Sequence, residues 1–127
     1  MDTVSLKLAE CISLKNMVFE LDERVRYFGF LDNRQGMVVS ELRNKDETHP
    51  GESQLARDLT FFKGAMASWS IYFGKVRYAL VSHEAFMIIM IPVESGLLIV
   101  TAEASLPLHY VEKIADKIHE QLILSKV

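Results

Sequence analysis

Phe86-Met87-Ile88-Ile89-Met90-Ile91-Pro92-Val93, followed by Glu94-Ser95-Gly96 and then by Leu97-Leu98-Ile99-Val100-Thr101-Ala102, is the stretch whose reading decides the fold. Two apolar runs of strand length flank a polar tripeptide whose glycine can take positive φ in a tight turn. Neither run alternates, so both strands are expected to be covered on both faces, with helices above and below. Just upstream, Lys75-Val76-Arg77-Tyr78-Ala79-Leu80-Val81 alternates charge with apolar bulk, as an edge or half-covered strand does. Ser82-His83-Glu84 turns it into the first run. Three antiparallel strands are therefore expected at the heart of a covered sheet.

Working outward, Ser105-Leu106-Pro107 opens a last helix, with serine as cap and proline in the first turn. Its buried stripe is Val111, Ala115, Ile118 and Leu122, flanked by Ile114, while Lys113, Lys117 and Gln121 face water. On the other side of the core stretch, Ser53 or Glu52 starts a helix that runs to about Phe73 and stops at Gly74. Leu55, Leu59, Phe62, Met66, Trp69 and Phe73 make one stripe at helical spacing, expected to pack on the sheet. Phe61, Ala65, Ser68 and Tyr72 form an adjacent flank at their own helical spacing, with Ala67 and Ile71 beyond it. Gly64, Ala65, Ala67 and Ser68 are small enough to let another helix approach. More apolar surface than one sheet face requires points to a partner interface.

Further upstream, Arg24-Val25-Arg26-Tyr27-Phe28-Gly29-Phe30-Leu31 and Met37-Val38-Val39-Ser40-Glu41-Leu42 read as a hairpin. Asp32-Asn33-Arg34-Gln35-Gly36 turns it, with Asp and Asn bonding their own backbone and Gly36 free to take the left-handed conformation. Gly29, in mid-strand, implies a bulge or a close backbone approach. The polar run Arg43–Ser53 is a solvated loop, longer than most connections in a compact domain. The first helix, capped by Asp2 or Thr3, is expected to reach Leu21 with Val4, Leu8, Cys11, Ile12, Val18 and Phe19 on one broad apolar face. Leu14, Met17 and Leu21 widen that face, and Lys15 projects near its middle and snorkels to the rim.

The chain of 127 residues is one domain by length, spanning 1–127, and buries roughly two-thirds of its unfolded surface. A net charge of −3 argues against a general polyanion binder, since phosphate contact needs clustered Lys and Arg. Arg24, Arg26, Lys75 and Arg77 form a basic strip only if their strands run close together, and no aromatic residue interleaves them as in a nucleic-acid platform. Cys11 is the only cysteine, which excludes an internal disulfide and a thiolate metal cluster. No basic-then-apolar leader opens the sequence, and no apolar run reaches the roughly 18 residues of a membrane span. The expected setting is the cytoplasm, with neither nucleic acid nor membrane as partner.

Chemistry is thin. There is no nucleophile motif, phosphate-cradling glycine loop or helical zinc motif. Cys11 lies on an apolar helix face, where a thiol behaves as a small hydrophobe. His109, Glu112, Asp116 and His119 share one side of the last helix, yet they face away from its buried stripe and spread further than one ion reaches. His83 and His49 sit in separate turns. No residue is expected to be catalytic, cofactor-binding or metal-ligating.

The element order is helix, strand, strand, helix, strand, strand, strand, helix. Ranking the strands by apolar content and joining the hairpins through their inner members gives an α+β fold: a five-stranded antiparallel sheet of order 2-1-5-4-3. The second helix covers one face, and the first and last cover the other. This arrangement resembles the roadblock/dynein-light-chain family and its profilin-like relatives. The local likeness is Arg24 to Ser40, where an apolar strand, an Asp-led turn and a glycine precede an apolar strand ending in Ser40. Two departures are the long Arg43–Ser53 loop and the bulk of Tyr27, Phe28 and Phe30. Such domains are typically homodimers that scaffold or regulate small GTPases and motor or signalling complexes. The resemblance therefore implies a non-catalytic, dimeric regulatory scaffold, binding itself and a protein partner of the small-GTPase or signalling type, and it assigns no cofactor. The expected interface is Phe61, Ala65, Ser68 and Tyr72. Two other classes remain: a PAS- or GAF-like sensor with a small ligand between sheet and helices, and a small enzyme on the same scaffold. A well-packed core would favour the scaffold, and a cavity of roughly 300 Å³ or more would favour the sensor.

Overall fold

A computed structural model of the chain describes residues 7–44 and 52–124. The elements run α1 (Leu8–Leu21), β1 (Val25–Asp32), β2 (Gly36–Leu42), α2 (Glu52–Phe73), β3 (Ala79–Ser82), β4 (Phe86–Val93), β5 (Gly96–Glu103) and α3 (Leu108–Leu124). The strands form one antiparallel sheet of order β2-β1-β5-β4-β3. The unbroken apolar runs do what such runs must: adjacent residues feed opposite cores. Ile89, Ile91, Leu98 and Val100 join Phe28 and Phe30 beneath α1 and α3, packed on Leu14, Val18, Val111 and Ile114. Met90, Leu97 and Ile99 join Tyr27 and Leu31 on the other face, beneath Leu59 and Met66 of α2.

Two glycines act differently from each other. Gly36 holds φ 78°, which favours glycine, and closes the β1–β2 turn that the Asp32 carboxylate braces by accepting from the backbone N–H groups of Arg34 and Gln35 at 2.8 and 3.1 Å. Gly96, which could take positive φ in its turn, does not do so. It is required for space instead. A Cβ there would sit well inside van der Waals contact of the Leu31 carbonyl oxygen and 2.9 Å from Phe30 Cε1. Gly29 makes similar room, for a side chain rather than for backbone: the Tyr27 ring lies across it on the way to a 3.0 Å hydrogen bond with Ser40 Oγ.

The strand expected over Lys75–Val81 is shorter and shifted, to Ala79–Ser82. Pro92 explains where it begins. His83 N–H donates to the Phe86 carbonyl at 2.8 Å, so the even-numbered residues of β4 address β3, and Ala79 pairs with Met90. The next rung of that kind would join Arg77 to Pro92, which has no N–H to give. The ladder stops, and residues 75–78 leave the sheet edge.

The helices depart from expectation more than the sheet does. The start expected at Asp2 or Thr3 lies outside the described residues; α1 begins at Leu8 behind Lys7, which makes no side-chain cap bond. Its buried stripe is narrow, Cys11, Leu14 and Val18, and Leu8 and Ile12 are exposed rather than packed. Lys15 pairs with Glu41 of β2. In α3 the helix begins at Leu108, so Pro107 stands just ahead of the first turn; Val111, Ala115 and Ile118 are buried as expected, with Ile114 fully inside, but Leu122 is only partly buried. Arg43, read as the start of a solvated loop, is a clip. Its guanidinium donates to the carbonyls of Val25 (2.6 Å), Asp22 (3.0 Å) and Phe19, and lies over the Phe19 ring. A cation at the C-terminal end of α1 satisfies carbonyls that a helix leaves unpaired.

The long stripe of α2 is only partly seated. Leu59 and Met66 are buried, but Phe62 and Trp69 are 43 % and 51 % exposed, and Phe73 is almost wholly so. Length is the reason at the C-terminal end, whereas Phe62, between the buried Leu59 and Met66, stands half out at the edge of the stripe. Twenty-two helical residues rise about 33 Å. Five strands span about 19 Å across, and the longest reach about 27 Å. A helix longer than either sheet dimension, lying on a twisted surface, must overhang.

Candidate interaction surface

The overhang sets the character of the site. Phe61 and Tyr72, two of the four residues singled out as an interface, are 86 % and 80 % exposed, and Ser68 is exposed with them; Ala65 is half-buried between. The unseated side chains of the stripe, Phe62 and Trp69, extend the same flank, and the Tyr72 and Phe73 rings stand 6.4 Å apart at its end. Ile71, on the far side, is also exposed. Sequence periodicity found this flank but placed Phe62, Trp69 and Phe73 in the core, so it undercounted the apolar surface.

The two sheet edges differ. β2 carries a bulge at Val38, between the rungs Phe30–Val39 and Leu31–Met37, which twists that edge and interrupts its pattern of donors and acceptors. β3 pairs in regular register with β4, has no bulge, proline or charge, and has no strand beyond it among the described residues. Residues 74–78 lead from the C-terminal end of α2 to the regular edge.

Residues 75–78 are fastened to α3. The Arg77 guanidinium pairs with Asp116 and lies 3.8 Å from Glu112; the Tyr78 hydroxyl donates to Glu112 at 2.6 Å; and the Arg77 carbonyl meets His119 Nε2 at 3.0 Å. Three of the four residues read as a solvated face of the last helix therefore form a clasp. The fourth, His109, stacks on Tyr110. Glu112 holds the Tyr78 hydroxyl protonated to higher pH than usual through that hydrogen bond. The basic strip does not assemble: β5 and β4 separate Arg24 and Arg26 from Lys75 and Arg77. Arg24 is engaged by Asp22, whose carboxyl it draws down to about 2, and Arg26 by Glu103. Burial pushes the Cys11 thiol up to about 11, with Glu10 and Asp32 adding to it, so its nucleophilic form is scarce at neutral pH. Among the described residues no three metal-ligating side chains gather, and no helix is long and apolar enough to cross a membrane.

One feature had no signal in helical or strand periodicity. Where residues 75–78 leave the sheet, an open groove of about 870 Å³ lies between α2, the end of β4 and the last turns of α3. Its volume exceeds the roughly 300 Å³ of a small-molecule site. It lies at the sheet margin and opens to solvent, however, not between the packed sheet and helices where a sensor's ligand was expected. Pro92 inside an apolar strand was the available clue.

Sheet order, helix placement and layering give the chain a roadblock-like fold of α+β class. Among solved structures it is similar to MglB of Myxococcus xanthus, at a TM-score of 0.74 and 13 % identity over 96 % of this chain and 100 % of that one. It is also similar to an MglB with tetrameric arrangement, at 0.71 and 16 % over 96 % and 93 %. A roadblock/LC7 domain from Streptomyces avermitilis matches at 0.55 and 15 % over 82 % and 92 %. At such identities the likeness is one of fold. No protein-family model matches the chain, and no curated protein matches it.

Proposed function

We propose that the chain is a non-catalytic regulatory scaffold that works as a homodimer in the cytoplasm and presents its paired surface to a protein partner of the small-GTPase or signalling class. The observation that carries this is the aromatic flank of α2, Phe61, Phe62, Trp69 and Tyr72, exposed on a domain whose β3 edge is also regular and open among the described residues. An exposed apolar helix face together with an unpaired edge is a liability in a monomer and an asset in a two-fold dimer, where each copy covers the other's. The small residues Gly64, Ala65 and Ser68 would let a second α2 come close. The blocked β2 edge leaves one edge for self-pairing, which closes at two copies rather than growing into a fibre. A lone buried thiol suits a reducing compartment. The partner class is carried over from the resemblance to roadblock domains, and the tetrameric arrangement of one similar MglB agrees with assembly as a working principle.

Static light scattering on the purified chain tests the dimer. A dimer mass at micromolar concentration, reduced to the monomer mass by Tyr72→Glu, is expected. A monomer at every concentration would overturn the reading. Titration with GDP- and GTP-loaded small GTPases then tests the partner class.

A further inference from the structure

We infer that the groove between α2, the end of β4 and the last turns of α3 is a second docking site, which takes an extended apolar segment bearing carboxylates from a partner protein. The inference rests on the scaffold reading only in taking the occupant to be protein.

The groove exists because of chain chemistry already described. Pro92 ends the β3–β4 ladder, and the clasp from Glu112, Asp116 and His119 carries residues 75–78 sideways to α3. Between the two lies a floor of Met66, Val76, Pro92, Val93 and Leu122, apolar over most of its area. The clasp fixes one wall, so the groove is built into the fold rather than opened by a chance excursion of a loop.

Charge and shape specify the occupant. Three cationic side chains line the groove, Lys63, Lys75 and Arg77, against one carboxylate, Glu94. Arg77 is committed to Asp116 and Glu112. Lys63 bonds the neutral carboxamide of Asn33, and burial lowers its pKa. Lys75 is exposed and makes no ion pair among the described residues. Two ammonium groups above an apolar floor are complementary to aliphatic side chains with a neighbouring Asp or Glu. Shape argues for a chain rather than a compact molecule. Leu122 lines both this groove and a smaller cleft of about 210 Å³ between α1 and α3, bordered by Ala9, Ser13 and Leu14. The two adjoin across the Leu122 side chain near the end of α3, so contact can continue from one to the other only along an extended occupant. A missing N–H at Pro92 weakens strand addition along β4, so side-chain contacts and charge would dominate.

The test uses the full chain. Random decapeptides are selected by display, and the enriched ones are synthesised with a fluorophore and measured by anisotropy and by amide chemical-shift mapping. Enriched sequences should combine aliphatic residues with Asp or Glu, and should shift the amides of Val76, Val93 and Leu122. Their affinity should fall roughly tenfold or more in Ala67→Glu, which puts a carboxylate on the exposed rim. In Lys75→Glu, selection should turn towards basic peptides. Selection of acidic and basic peptides alike, failure to enrich any, or shifts confined to α2 residues 61–72 would overturn the inference. A compact nucleotide or lipid headgroup that binds here while no peptide does would also overturn it. Light scattering on the same samples reports the dimer separately, so a lost dimer with intact peptide binding refutes the scaffold assembly and spares the groove.

Discussion

Replacing Phe61 by Glu should split the dimer and leave the folded chain as stable as before. Phe61 is 86 % exposed in the single chain, so the domain itself loses almost no buried area. Surface changes of that kind stay within about 0.5 kcal/mol. In a two-fold assembly the same ring would be covered, and burial of a phenylalanine is worth about 1.5–3 kcal/mol. Symmetry puts two copies in each interface, so deletion costs about 3–6 kcal/mol before the carboxylate's own desolvation is counted. Even about 3 kcal/mol raises the dimer dissociation constant more than roughly a hundredfold. Sedimentation equilibrium over a wide concentration range measures that constant, and urea melts monitored by circular dichroism measure the fold. An unchanged dissociation constant would remove Phe61 from the interface and refute the argument from α2. A lowered melting midpoint in dilute, monomeric protein would mean that the ring already packs within one chain.

Ile89→Ala, at a fully buried position between β3 and β5, should cost about 2–5 kcal/mol by denaturant melt, far more than any surface change on α2. Gly96→Ala should cost about 3 kcal/mol or more, the upper part of the overpacking range, because the obstruction is the Leu31 backbone carbonyl and not a movable side chain; a melt within error of wild type would mean that β1 and β5 can separate locally. Arg43→Ala, which leaves the Val25, Phe19 and Asp22 carbonyls without their cation, should cost about 1.5–3 kcal/mol in a melt, whereas a neutral result would return Arg43 to the solvated loop. Asp22 has its folded-state pKa lowered from 3.8 to about 2, so its contribution is present above about pH 4 and lost as pH falls towards 2; Asp22→Asn should flatten the acid limb of the stability profile there, and an unaltered limb would assign it to other carboxylates.

What the sequence determined by itself was everything governed by short-range periodicity. Non-alternating runs at Phe86–Val93 and Leu97–Ala102 dictate strands covered on both faces, since a two-residue period leaves no polar face to expose. The Asp32–Gly36 turn and the Gly74 stop are local backbone chemistry, and both stand as expected. The free flank Phe61, Ala65, Ser68 and Tyr72 was legible because a 3.6-residue repeat assigns one face to the sheet and exposes the surplus. Tertiary structure decided what depends on how far elements extend over one another. A hydrophobic stripe does not state the width of the sheet beneath it, so Phe62, Trp69 and Phe73 read as core and stand outside. An arginine after a strand does not reveal that a helix ends within its reach, so Arg43 read as solvent-exposed. A glycine in a tripeptide turn signals either backbone freedom or lack of space, and only the nearness of the Leu31 carbonyl chose the latter for Gly96. The groove is the furthest from sequence. It needs Pro92 to end a ladder and the α3 clasp of Glu112, Asp116 and His119 to hold the departing chain, two events well separated in sequence whose meeting is made by folding alone.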